Sequence, residues 1–112
     1  MKDEITWNDF EKIDMRVGTV LTAEDFPQAR NPAYKLTIDF GLEIGILKSS
    51  AQITTHYNKS DLIGKQIISV INFPKKQIGP FMSECLVLGS VKNHEVILLQ
   101  PGMTVDNGSK IG

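Results

Sequence analysis

The chain has 112 residues, 41% of them hydrophobic, and a formal charge of −1, which suits one hydrophobic core and excludes a large multidomain enzyme. No stretch nears the ~18 consecutive apolar residues of a membrane helix, and the acidic opening Met1-Lys2-Asp3-Glu4 is not that of a signal peptide. A single cysteine, Cys85, excludes an internal disulfide and fits a reducing compartment, so a soluble cytoplasmic protein without a membrane partner is expected.

In chain order, Thr6-Trp7-Asn8-Asp9 is a capping signal for a short helix with Phe10 and Ile13 on its buried face. Met15 to Leu21 reads as a strand, with Gly18 marking a bulge or a close backbone approach. Tyr34 to Phe40 alternates, with Tyr34, Leu36, Ile38 and Phe40 facing inward and Lys35, Thr37 and Asp39 outward. Gly41 ends it, and Ile44 to Lys48 is the next strand of a hairpin. Ser49 or Ser50 caps a short helix through about Tyr57. Gln66 to Phe73 is a buried strand, Pro74 to Met82 a loop turning at Gly79-Pro80, and Cys85–Leu88 and Val96–Leu99 are further strands. From Pro101 a tail follows whose apolar residues are Met103, Val105 and Ile111.

Five strands with a short helix between the third and fourth predict an all-β, five-stranded OB-fold barrel; a small α+β sandwich is the competing architecture. Residues 1–112 then form a single domain, with 1–13 a helical N-terminal segment and 101–112 a C-terminal extension. Trp7 and the apolar residues of the tail have no evident place in the monomer core, which predicts a homodimer that buries them.

Catalysis finds little support. His56, His94 and Cys85 are too few and too scattered for a zinc site, and neither a P-loop nor a dinucleotide fingerprint occurs. No metal and no cofactor are expected. Cys85 lies in an apolar run, where it reads as a small core residue rather than a nucleophile. Ser49-Ser50 has no local triad signature.

Charge is unevenly spread. Residues 1–43 hold nine acids against five bases, whereas residues 44–83 hold five lysines against Asp61 alone. One electropositive face is therefore available on a nearly neutral molecule. The segment from Asn72 to Ser83 concentrates the relevant chemistry. Lys75 and Lys76 can track phosphates, Phe81 and Phe73 offer stacking planes, and Asn72 and Ser83 can hydrogen-bond base edges. The same segment also reads as a solvated turn with Phe81 folded onto the core. Lys48-Ser49-Ser50-Ala51-Gln52 is a second polar cluster, suited either to a phosphate or to helix capping. Arg16 fits an ion pair or a phosphate contact equally well, and Arg30 and Asn31 are polar groups of the loop joining the first two strands.

Ile13-Asp14-Met15-Arg16-Val17-Gly18, Ala23-Glu24, Pro27, Tyr34-Lys35-Leu36, Asp39-Phe40-Gly41, Gly64-Lys65 and the Asn72–Ser83 loop together resemble the tRNA-binding OB-fold domain family. Lys48–Ile53, Asn72-Phe73-Pro74 and Ser83–Gly89 look most like its stand-alone bacterial members. The resemblance implies a non-catalytic homodimer that binds tRNA, with a chaperone-like role in protein export as the alternative. It implies an RNA surface of Arg16, Lys48, Ser49, Ser50, Gln52, Asn72, Lys75, Lys76 and Ser83, to which Phe81 adds a stacking plane. In the alternative, unfolded or pre-secretory polypeptides contact Phe73, Ile78, Phe81 and Met82.

Overall fold

Alternation between Tyr34 and Phe40 is the pattern around which the barrel is organised. In the computed structural model, which describes residues 1–112, Tyr34–Asp39 forms strand β2. Tyr34, Leu36, Ile38 and Phe40 are buried, and Lys35, Thr37 and Asp39 are partly exposed. Ahead of it, α1 (Trp7–Glu11) leads into β1 (Met15–Asp25); after it come β3 (Ile46–Ala51), α2 (Lys59–Leu62) and β4 (Gln66–Val70). Hairpin β5 (Lys76–Ile78) and β6 (Phe81–Ser83) follows, then β7 (Leu86–Val87) and a last hairpin of β8 (Gly89–Lys92) and β9 (Glu95–Leu98).

One sheet, in the order β3-β2-β1-β4-β7 with every pairing antiparallel, curls into a nearly closed barrel. Strand β1 makes the curl possible. Its first half pairs with β4 (Met15↔Val70 to Thr19↔Gln66) and its second half with β2 (Thr19↔Asp39 to Asp25↔Tyr34). The register shifts between Val20 and Thr22, so the bulge falls at Leu21 rather than at Gly18. Gly18 is instead the close approach: a Cβ there would stand 2.6 Å from Ile38 Cγ2 and 2.8 Å from the Phe40 ring. The architecture is the five-stranded OB-type barrel, with α2 between β3 and β4, and not an α+β sandwich.

Several local expectations are corrected. Ser49 and Ser50 cap no helix: β3 runs through them to Ala51, and the helix begins only after Asn58, whose N–H donates to the Asp61 carboxylate at 3.0 Å. Ile53, Thr54 and Thr55 are β-branched and poor helix formers, and both serines find partners across the barrel. The Pro74–Met82 segment contains a β-hairpin rather than a plain loop, with Gly79 at a φ of 55° in its two-residue turn. β4 stops at Val70, short of Phe73. In α1 the Thr6–Asp9 capping box forms as expected, with hydrogen bonds of 3.1 and 3.0 Å. The bonds from Thr6 hold the Asp9 carboxyl below its ordinary pKa, so the box persists at neutral pH and is lost only as pH falls through that lowered value. No α1 residue is buried, however; Phe10 is half-buried and Ile13 is exposed.

β3 and β7 do not form a ladder, and the barrel is closed between Lys48–Ser50 and Ser83–Cys85 largely by side chains. Glu84 N–H donates to the Lys48 carbonyl (2.7 Å), and Lys48 N–H donates to Glu84 Oε1 (2.9 Å). Ser50 N–H donates to Ser83 Oγ (3.1 Å), and the buried Ser49 hydroxyl donates to the Cys85 carbonyl (3.1 Å). The tail completes the other edge. Val17 N–H donates to the Ser109 carbonyl, Gly108 N–H to that of Val17, and Ile111 N–H to that of Met15, at 2.7–3.0 Å. Residues 108–111 thus pack on their own barrel, while Met103 and Val105, two of the tail's three apolar residues, remain exposed.

Two outcomes test this packing. Gly18→Ala should destabilise the fold by about 1–3 kcal/mol in denaturant melts, as overpacking of a dense core does. Burial raises the pKa of the Cys85 thiol, and the neighbouring charge of Glu84 acts in the same direction. Its thiolate fraction at pH 8 is therefore below that of a free cysteine, so alkylation by iodoacetamide should be slow in the native protein and fast in denaturant.

Candidate functional site

The β5–β6 hairpin folds back over the loop between β1 and β2, and the two are joined by aromatic contact. Phe26, buried at the end of β1, meets the Phe81 ring at 5.4 Å between centroids in an edge-on arrangement. Lys48 Nζ stands 5.5 Å from the Phe81 centroid, and Lys35 Nζ 5.8 Å from that of Phe26. Around Phe81, the side chains of Thr22, Thr37, Lys35 and Lys48 enclose a shallow cavity of about 160 Å³. Phe81 is half-buried, so one part of it serves the core and another remains at the surface.

A second cleft, of about 420 Å³, opens between the end of β3 and the hairpin. Ser50 and Gln52 line it from β3 and just beyond, Phe73 and Pro74 from the segment after β4, and Lys76, Ile78 and Ser83 from the hairpin. Glu84, Cys85 and Leu86 complete the wall. Six residues singled out in the sequence, Ser50, Gln52, Phe73, Lys76, Ile78 and Ser83, are therefore brought to one place. Lys48 and Phe81 border the neighbouring cavity. A larger cavity of about 580 Å³ between the α2–β4 turn and Gln100–Thr104 contains none of them.

The remaining residues stand differently. Ser49 is fully buried and its hydroxyl is committed to the barrel seam, so it presents no surface to a ligand. Arg16 lies on β1, where it donates to Asp14 Oδ1 at 2.7 Å and to the Gly108 carbonyl at 3.1 Å; of the two roles open to it, the structure shows the structural ion pair. Asn72 accepts from Asp14 N–H (3.0 Å) and donates to the Lys12 carbonyl (2.7 Å), pinning the start of the hairpin segment to the N-terminal one. Met82 is half-buried opposite Gln77 and does not line the cleft.

Ion pairing sorts the lysines. Lys75 is paired with Glu84 Oε2 (3.3 Å), Lys35 with Glu24 (3.7 Å) and Lys59 with Asp25 (2.9 Å). The Asp25 bond raises the Lys59 pKa, and that lysine is not free. Lys48 and Lys76 have no carboxylate within 4.0 Å and remain available to an anion. Glu84 was not singled out from the sequence. Its signal was an acid at the head of an otherwise apolar run, Glu84-Cys85-Leu86-Val87-Leu88. No three His, Cys, Asp or Glu side chains come together in a way that would hold a metal ion.

Residues 15–110, from the first strand of the barrel into the tail, match the family described as "Putative tRNA binding domain". The chain is 32% identical over 112 residues to the methionine--tRNA ligase of Bacteroides fragilis, covering 99% of this chain and 16% of the ligase. The chain thus spans about one sixth of that relative's length. Among solved structures, that of chaperone CsaA from Bacillus anthracis superposes with a TM-score of 0.93 at 52% identity, over 98% of this chain and 100% of the other. The CsaA chaperone protein from Picrophilus torridus gives a TM-score of 0.91, also at 52% identity, over 97% and 100%. Because the family match spans the chain from the start of β1 to Lys110, with every strand of the barrel inside it, the chain belongs to the tRNA-binding domain family.

Proposed function

We propose that the chain is a non-catalytic, cytoplasmic RNA-binding protein that takes tRNA on the face formed by β3, the β5–β6 hairpin and the loop between β1 and β2, as a homodimer. One observation carries this reading: the unpaired cations Lys48 and Lys76 stand beside Phe81 and Phe73 on the face that an OB barrel offers to ligands. Cations track the phosphates of an unpaired segment while its bases stack on aromatic planes. tRNA exposes such segments in its loops, where splayed bases can be read. Gln52, Ser50 and Ser83 supply hydrogen-bonding groups around the cleft, and the Ser83 hydroxyl keeps its own proton to donate while its oxygen accepts from Ser50. In this reading Arg16, Ser49 and Asn72 hold the frame, and Lys75 joins only after exchanging Glu84 for a phosphate.

A second reading is favoured by the walls of the cleft and by the likeness to proteins named as chaperones. Phe73, Ile78 and Leu86 offer apolar surface to an unfolded or pre-secretory polypeptide. Salt separates the two readings, since apolar contact is not screened. Lys48→Ala with Lys76→Ala should flatten the slope of log K for tRNA against log salt by roughly 1–2 units, about 0.7–0.9 per lost phosphate contact. Phe81→Ala should cost about 1–3 kcal/mol of RNA binding where a base stacks. An unchanged salt slope with RNA still bound would remove the two lysines from the site. Client binding at low and high salt, with no tRNA bound even at low salt, would put the second reading in place of the first.

The dimer rests on Ile5 and Trp7, 68% and 73% exposed, which line an open, mostly apolar hollow of about 470 Å³ with Thr6, Phe10 and Gly112. Light scattering should return twice 12.5 kDa, and Trp7→Glu should lower it toward a single chain. A wild-type chain that stays monomeric at high concentration overturns this part.

A further inference from the structure

We infer that the cleft between Phe73 and Glu84 takes one unstacked nucleobase bearing an exocyclic amine, and that the Glu84 carboxylate reads that amine. The inference rests on the RNA-binding reading and adds to it a residue that discriminates between bases.

A carboxylate repels phosphate, so its place on an RNA face calls for a reason. Glu84 forms part of the cleft wall with its side chain 16% exposed. Its Oε1 is committed to Lys48 N–H at 2.9 Å, which fixes the group in place. Oε2 meets Lys75 Nζ at 3.3 Å, and that lysine side chain is 65% exposed. The lysine end of this pair is exposed and flexible, so Lys75 can move to a phosphate, and the largely buried Oε2 then needs another donor in its place. The cleft then presents a fixed, charged acceptor between the apolar surfaces of Phe73, Ile78 and Leu86.

A flat, partly apolar group with an N–H donor on its edge fits this arrangement, and a phosphate does not. Cytosine N4, adenine N6 and guanine N2 each carry such an amine, and acidic side chains accept from cytosine N4. Uracil offers a single N–H flanked by two carbonyl oxygens, both repelled by a carboxylate. A basic peptide side chain would also satisfy Glu84. Lys48, Lys75 and Lys76 around the same face oppose a cationic peptide and favour a strand that carries phosphates.

The test uses the full chain and fluorescence anisotropy, with labelled oligo(C), oligo(A) and oligo(U) of about 12 nucleotides, which lies within the site size of one OB barrel. Bulk tRNA is measured alongside. Wild type should bind oligo(C) and oligo(A) about tenfold tighter than oligo(U), the scale of one hydrogen bond to a charged group. Glu84→Gln keeps an amide oxygen for Lys48 N–H but offers an N–H2 to the base, so the preference should fall toward unity with little change in Tm. A second probe needs no variant: oligonucleotides of 2-pyrimidinone, which is cytosine without its amine, should bind wild type about as weakly as oligo(U). Equal binding of all oligonucleotides by wild type, or a preference retained in Glu84→Gln, overturns the inference while tRNA binding stands. Absence of any RNA binding at low salt overturns the RNA reading and this inference together. A basic polypeptide that binds wild type but not Glu84→Gln, while oligonucleotides bind both alike, assigns the cleft to peptide and overturns it too.

Discussion

The seam between Lys48–Ser50 and Ser83–Cys85 is the constraint on which both the barrel and its cleft depend. A curled five-stranded sheet must bring its last edge back to its first, and buried backbone groups there must find partners or cost about 1–3 kcal/mol each. β7 has only two residues and cannot ladder with β3. Side chains take over: Glu84 and Ser83 accept from the Lys48 and Ser50 amides, and Ser49 donates to the Cys85 carbonyl. The residues that close the core are thereby the residues that border the cleft. A polar cluster on a strand, which could be taken for a phosphate site, is in part the fastening of the barrel.

The same seam shapes the electrostatics. The molecule is close to neutral, and the cations available to an anion are set by which lysines lack carboxylate partners rather than by a basic composition. Lys12, Lys35, Lys59 and Lys75 each have a carboxylate within 4.0 Å, as does Arg16. Lys48 and Lys76 do not. Lys48 lies instead over an aromatic ring, where a cation is held weakly and stays accessible. In the Lys75–Glu84 pair only the lysine end is exposed, which leaves the lysine able to change partner while the carboxylate stays fixed.

At the two ends of the chain, the barrel edge decides what is free. Residues 108–111 hydrogen-bond along the part of β1 that β2 leaves unpaired, and on β4 the Gln66 side chain both donates to and accepts from Val105. An unpaired edge strand is a template for aggregation, and the tail covers it. Ile5 and Trp7 have no such place. Exposed apolar side chains are spread along the chain, from Ile5 and Trp7 at its start to Leu42, Val91 and Met103.

The sequence by itself determined what rests on local pattern. The two-residue alternation through Tyr34–Phe40 decided which face is buried, the Thr6–Asp9 spacing decided the first helix, and the order of strands and helix pointed to the OB barrel. It also marked Gly18 as special, because a glycine inside a strand signals a missing side chain with a purpose. Tertiary structure decided what depends on partners distant in sequence. Whether Ser49 caps a helix or closes a barrel depends on Cys85, 36 residues away, and serine suits both. Whether Arg16 and Asn72 face a ligand or hold the frame depends on Gly108 and Lys12. The hairpin at Lys76–Ser83 went unread because strands of three residues carry too little alternation to register, and they gain their stability from the loop and strand on which they fold. Glu84 shows the same division most clearly. One acid in an apolar run has no periodicity to interpret, and its role emerges only where Lys48, Lys75 and the cleft converge on its two oxygens.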